Sequence, residues 1–291
     1  MSLFQAILLG IIQGVSEFIP VSSTAHLTIA AKALGLVTGE HPEAWTAFMA
    51  VIQLGTLSAM LIYFARDIWA MGVAFTRDLV THGGGKGLSG YSRYSALVFY
   101  ILLGTLPVAL AGYESERFVE GDLTKSLLFI AYTMVLLALF LWLAEISAEH
   151  IRPLREVTWK DALVIGLAQV VALIPGASRS GTTITSALFM GFRRSAAARF
   201  SFLLSIPAVL ASGILELYRV TLLMKAGAHV LNFGVVNLLV ATLVSGVTGY
   251  AAIAWLLNYM LKHTTMPFVW YRLGLGTTLL VLIAAGLISP R

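Results

Sequence analysis

Long apolar stretches alternate with short polar ones along the whole chain. Six stretches are long enough, at about 20 residues, to cross a hydrocarbon core of ~30 Å; they fall near 45–65, 94–112, 126–144, 200–217, 235–257 and 270–288. Two others, 3–31 and 161–191, break the pattern. Each has an apolar run, a polar interruption containing Pro and Ser, and a second apolar run, with neither half long enough to span. The two also match each other. Gly10-x-x-Gln13 with Pro20-x-Ser22 is answered by Gly166-x-x-Gln169 with Pro175-x-x-Ser178, one residue out of register between Gln and Pro. The first run, Leu3 to Ile19, does not read as a cleavable signal peptide. The first basic residue is Lys32, and Gln13 and Glu17 interrupt the apolar pattern.

Loop charge gives an orientation. Arg66, Arg77, Lys86 and Arg93 place the segment 66–93 in the cytoplasm, whereas Glu114, Glu116, Glu120 and Asp122 make 113–125 acidic and place it outside. Arg152, Arg155 and Lys160, then Arg193, Arg194 and Arg199, return the chain to the inside on both flanks of 161–191. The alternation holds if 161–191 enters and leaves on the cytoplasmic side and 3–31 on the outer side. The assigned cytoplasmic loops then hold about twice the Lys and Arg of the outer ones. The expected fold is an all-α polytopic membrane protein built as one membrane domain of two inverted repeats, about 1–150 and 151–291. Each repeat is a re-entrant helical hairpin followed by three transmembrane helices. Irregular backbone at membrane depth survives only where it is buried in protein or lines a wet cavity, so function is expected in the two breaks.

Composition narrows the class. The 291 residues are 58% hydrophobic and 11% charged, with a mean hydropathy of +0.88, whereas an ordinary soluble domain is roughly 25% charged. A soluble enzyme, a disordered chain, a coiled coil and collagen are excluded. There is no cysteine, which removes disulfides, thiol catalysis and Cys-based metal sites. The net charge of +5 is scattered through short loops and offers no nucleic-acid surface.

The first break reads Gln13-Gly-Val-Ser16-Glu17-Phe-Ile-Pro20-Val-Ser22-Ser23-Thr24-Ala-His26, and the second Pro175-Gly176-Ala-Ser178-Arg179-Ser180-Gly181-Thr182-Thr183. An ionised group at membrane depth costs at least ~2.5–3.5 kcal/mol on insertion scales, which makes Glu17 and Arg179 functional candidates. Pro20 and Pro175 each end a helix, and the Ser/Thr cluster after each is suited to cap the next one. The following half-helix then points its free N–H groups and positive dipole end into the break, an arrangement that binds anions. Two such ends with Arg179 between them suit a phosphate or pyrophosphate. His26 lies three and four residues after Ser23 and Ser22, on one helical face with them, so Glu17 and His26 both have acid–base capacity. Simpler readings stand beside these: Ser16 and Thr185 back-bond to carbonyls, Glu17 and Arg179 form a structural ion pair, and Glu216 near Arg219 snorkels. His41, His82, His150, His229 and His263 fall in loops and read as solvated, and Gly83-Gly84-Gly85 reads as a plain connection.

Gln13-x-x-x-Glu17 followed by Pro20-Val-Ser-Ser-Thr-Ala-His26, and Pro175-Gly-Ala-Ser-Arg-Ser-Gly-Thr-Thr183, resemble the two signature motifs of the undecaprenyl pyrophosphate phosphatase family (BacA or UppP type), in the family's order and spacing. The resemblance implies a bacterial inner-membrane enzyme that hydrolyses a polyprenyl pyrophosphate to the monophosphate, recycling the lipid carrier for peptidoglycan and conferring bacitracin resistance. It implies an inverted-repeat fold, an outward-facing site, a homodimer, and a need for Mg²⁺ or Ca²⁺. Carried over by position, Glu17, Ser23, His26 and Arg179 are the expected catalytic residues, and Gln13, Ser22, Ser178, Ser180 and Thr183 the expected substrate-binding ones. Gln13 stands where many members have Glu. With one carboxylate fewer, the expected cation arrives on the pyrophosphate, with Glu17 as its candidate protein ligand. Ser23 or a water is the expected nucleophile, and Glu17 or His26 the base. A secondary transporter or lipid flippase is the alternative, because paired broken helices with an anion site serve translocation as well.

Overall fold

The computed structural model describes residues 1–36, 42–82, 90–114, 126–225 and 233–290. These residues form eleven α-helices and no β-strand. The first helix–break–helix unit is α1 (Leu3–Phe18) and α2 (Ser23–Ala33), followed by α3 (Pro42–Tyr63), α4 (Ala65–His82), α5 (Arg93–Glu114) and α6 (Leu127–Ser147). The second unit is α7 (Trp159–Val171) and α8 (Arg179–Phe189), ahead of α9 (Arg194–Lys225), α10 (Val235–Tyr259) and α11 (Met266–Ala284). Five helices, α5, α6, α9, α10 and α11, are long and apolar enough to cross a membrane, and the bent pair α3–α4 makes a sixth if counted as one span. The chain is a polytopic membrane protein. Its outward faces agree: Leu136, Phe140 and Leu143 on α6, and Leu239, Leu243 and Val247 on α10, are exposed apolar side chains that lipid would cover.

Local chemistry sets the helix ends of both broken units. A capping box of Ser2 with Gln5 starts α1, and one of Thr158 with Asp161 starts α7. α1 stops at Phe18 because Ile19 precedes Pro20 and is forced into the extended region. Both broken units are hairpins. At one end of the molecule Ala6 and Leu9 of α1, Leu27 and Ala31 of α2, Trp45 and Phe48 of α3 and Ala241 of α10 share a core, so α1 begins where α2 ends. At the opposite end Arg152 bonds both to Asp161 in the first turn of α7 and to the carbonyl of Met190 just after α8, which clasps the second hairpin. α3 runs from the first end to the second, where Asp67 after it bonds Arg199 of α9. The hairpins therefore come in from opposite ends, and their breaks meet between them.

Small residues set the depth of this meeting. Gly14 of α1 lies so close to Ser245 and Gly249 of α10 that a side chain there would strike their backbone, and Gly166 of α7 lies the same way against Gly104 of α5.

One stretch departs from expectation. Residues 66–93 read as a cytoplasmic loop, yet 65–82 is the helix α4, bent by 65° from α3. Its charges masked it in the sequence: Asp67 is paired with Arg199, and the apolar Trp69, Val73, Leu79 and Val80 lie exposed on the outer face. Of the histidines, His263 is exposed and stacks on Tyr259, whereas His150 is partly buried and bonds to the carbonyl of Glu145. His41, His229, Lys86, the run Gly83-Gly84-Gly85 and the acidic segment 115–125 lie outside the described residues, as do the side chains of His82, Glu216 and Arg219.

Candidate active site

The two breaks share an unusual backbone. Ser22 caps α2 with φ 78°, and Ser178 caps α8 with φ 69°. Positive φ is strained for a residue with a side chain and marks a position that the surrounding structure holds against its preference. Each serine side chain then accepts from the third N–H of its helix, Ser22 from Ala25 at 3.4 Å and Ser178 from Gly181 at 3.1 Å. The two capped helix starts carry the positive ends of the α2 and α8 dipoles into the meeting point.

Glu17, one residue before the end of α1, is the hub. One carboxylate oxygen is paired with the guanidinium of Arg179, the first residue of α8. The other accepts from Ser23 Oγ at 2.8 Å and from Gln13 Nε2 at 3.1 Å, one helical turn earlier. The anticipated Gln13, Glu17, Ser23 and Arg179 thus form one continuous cluster across both hairpins. Ser180 adds a further tie, its hydroxyl donating to the Ile19 carbonyl at 3.3 Å and lying 3.2 Å from Ser178 Oγ.

Two anticipated residues sit differently from their sequence reading. His26 bonds to neither serine hydroxyl. Its Nδ1 lies 2.6 Å from the Ser22 carbonyl oxygen and its Nε2 lies 2.6 Å from Tyr271 Oη. Thr183 is fully buried, donates to the Arg179 carbonyl at 2.7 Å and lies 2.5 Å from Ser201 Oγ, so it braces the backbone of Arg179 from behind. Ser16 and Thr185 back-bond to Ile12 and Gly181, as the simpler reading expects.

One residue of the site was not anticipated. Arg272, on α11, is fully buried and donates to the Gly176 and Ala177 carbonyls at 3.2 and 3.1 Å and to the Pro20 carbonyl at 3.5 Å. A single guanidinium therefore ties both breaks together by their main chains. Local spacing did not mark it: a span starting near 270 leaves Arg272 at its edge, whereas helix α11 begins at Met266 and carries Arg272 more than a turn inside.

Among the described residues, no three His, Asp or Glu side chains stand close enough to hold a metal ion. Both Glu17 oxygens are already committed to protein donors. A protein-caged metal centre does not fit this donor set.

The fold and site define a class: a polytopic membrane protein in which two broken-helix hairpins meet around a buried carboxylate, a serine and a guanidinium, with two helix N-termini converging. Residues 6–278 match the family described as bacitracin resistance protein BacA, and the chain belongs to that family. It is 49% identical over 283 residues to an undecaprenyl-diphosphatase of Syntrophobacter fumaroxidans, covering 97% of this chain and 98% of that protein. It is 46% identical to an undecaprenyl-diphosphatase of Myxococcus xanthus, over all of this chain and 92% of that one. A third, from Pelodictyon phaeoclathratiforme, is 44% identical over the full length of both chains.

Proposed function

We propose that this chain hydrolyses undecaprenyl pyrophosphate to undecaprenyl phosphate and inorganic phosphate. The observation that carries the reading is the Ser23 hydroxyl donating to a Glu17 carboxylate that Arg179 also holds. Nucleophile, base and phosphate-binding guanidinium form one contact set. A transporter needs the anion donors but has no use for a serine aligned on a carboxylate.

In the proposed reaction Arg179 turns from Glu17 to the terminal phosphate, and the N–H groups opening α2 and α8 neutralise charge on its oxygens in the transition state. Ser23 Oγ attacks the terminal phosphorus and its proton passes to Glu17. The bond to the bridging oxygen breaks and the lipid monophosphate leaves. Water then displaces phosphate from Ser23, which recovers its proton from Glu17. Ser22 and Ser178 hold the two helix starts, Ser180 and Gln13 position the ends of the cluster, and Thr183 fixes the main chain of Arg179. A divalent cation, Mg²⁺ or Ca²⁺, would supply charge neutralisation if it arrived on the pyrophosphate, and Glu17 would have an oxygen free to reach it only after Arg179 had turned to the phosphate.

The two halves, 1–150 and 151–291, are proposed to be inverted repeats. Support comes from the hairpins opening at opposite ends, the shared strained serine caps, and the exchanged packing of α1 on α10 and α7 on α5. The setting is the bacterial inner membrane, with the lipid tail between spans, the site open to the outer side, and the chain able to form a homodimer. In this cysteine-free chain a single cysteine at Ser115 should label from outside the cell, and one at Ser89 only after permeabilisation. Phosphate release from a C55 pyrophosphate by purified protein in detergent tests the activity. Binding of that lipid without phosphate release would favour the transporter alternative.

A further inference from the structure

We propose that Tyr271 of α11 is a positioning residue for this reaction, acting through His26; the inference rests on the hydrolase reading above. The chemistry of the partners fixes how the imidazole stands. A carbonyl oxygen only accepts, so the nitrogen 2.6 Å from the Ser22 carbonyl, Nδ1, carries the proton. In the neutral ring Nε2 is then the acceptor, and the hydroxyl 2.6 Å from it, Tyr271 Oη, donates. The rings also stack, with centroids 5.5 Å apart and planes within 9° of parallel.

The two anchors come from opposite directions. Ser22 is the strained cap of α2, so one side of His26 is built on the bend of the first hairpin. Tyr271 comes from the far end of the chain, next to Arg272, which bonds the main chains of both breaks. α11 thus sets the hairpins with one residue and the imidazole with its neighbour. The phenol occupies the one nitrogen on which His26 could take a proton, and this keeps the ring turned away from Ser23. Ser23 is left to Glu17. Tyr271 is 47% exposed, so its oxygen borders the open side of the site while His26 lies deeper.

Tyr271→Phe removes the hydroxyl and keeps the ring that stacks. Loss of one hydrogen bond between neutral groups should lower kcat roughly two- to thirteenfold. KM for the C55 pyrophosphate should stay within about twofold, because no phosphate contact is lost. In a His26→Ala background the same change should cost nothing further, since its route to the reaction is gone. An equal loss in both backgrounds, or no loss in the first, would overturn the proposal. Imidazole ¹⁵N NMR of His26 reads the hydrogen bond apart from turnover. It should show protonated Nδ1 and bare Nε2, with the Nε2 signal moved in Tyr271→Phe, and a protonated Nε2 would overturn the proposal even if the protein released no phosphate.

Discussion

The two breaks use one backbone device to present different side chains. Each ends a helix, holds a serine at positive φ, and starts a second helix from that serine's side chain. One turn after Gln13, the first unit has Glu17, and the Gln13 amide bonds to it. One turn after the matching Gln169, the second unit has Leu173, and the Gln169 amide is fully buried with neither its nitrogen nor its oxygen partnered. The cation follows the reverse pattern: Arg179 stands directly after the second cap, where the first unit has Ser23. The shared part of the motif makes two capped helix ends, and on the proposed reaction the differing part would divide labour between acid–base work on one side and phosphate binding on the other.

The largest effects should follow from removing the differing residues. Arg179→Ala should abolish measurable turnover, because it deletes the guanidinium and leaves Glu17 charged and buried; uncoupling a buried pair in this way costs about 3–5 kcal/mol. Arg179→Lys keeps the charge but loses the planar fork and should recover only a small part of the activity. Phosphate release from C55 pyrophosphate, with melting temperature as the control for folding, checks both.

Arg272 bears on the comparison from outside, because it bonds the main chains of both breaks, two carbonyls of the second and one of the first. Arg272→Ala should destabilise the protein and lower turnover together, since each buried carbonyl left unpaired costs about 1–3 kcal/mol. Arg272→Lys, with three donors, should restore much of the stability. A variant that lost activity with an unchanged melting temperature would show that Arg272 does not hold the hairpins.

Smaller tests address the shared scaffold. At Ser178 a change to Gly loses the cap but relieves the positive φ, whereas Ala loses the cap and keeps the strain. The Gly variant should be more stable by about 1 kcal/mol, readable as a higher melting temperature. The smallest effect concerns the paired glutamines. Gln169→Leu removes a buried amide without partners and should raise the melting temperature slightly with turnover intact, whereas Gln13→Leu should lower turnover by freeing the Glu17 carboxylate. Equal effects at both positions would mean that the two units are not divided as described.

Much of this was legible in the sequence, and what was missed has a physical pattern. The spans, the boundaries of both broken units and the importance of Glu17 and Arg179 follow from apolar run length and from charges too costly to bury without use, whereas the roles expected of Gln13 and Ser23 came from the resemblance to the family's motifs. α4 was missed because Arg66 and Asp67 give it a loop's composition, and its ion pair with Arg199 forms only in the fold. Arg272 and Tyr271 were missed because their partners lie between 95 and 252 residues away in the chain, and local spacing carries no trace of such contacts. His26 was placed on the correct helix, but helical spacing shows which residues share a face and not which atoms the ring chooses. The Ser22 carbonyl and Tyr271 took it instead of the serines.

The central claim is that the carboxylate of the first break does chemistry while the guanidinium of the second binds phosphate. Steady-state phosphate release from C55 pyrophosphate by Glu17→Gln tests it most directly. Loss of a general base typically costs about 10²–10⁴ in rate. kcat should fall by that factor while KM stays level or drops, because Arg179 no longer has a carboxylate competing for it. Turnover near wild type, or an unchanged kcat with a raised KM, would contradict the account and return Glu17 to a purely structural ion pair.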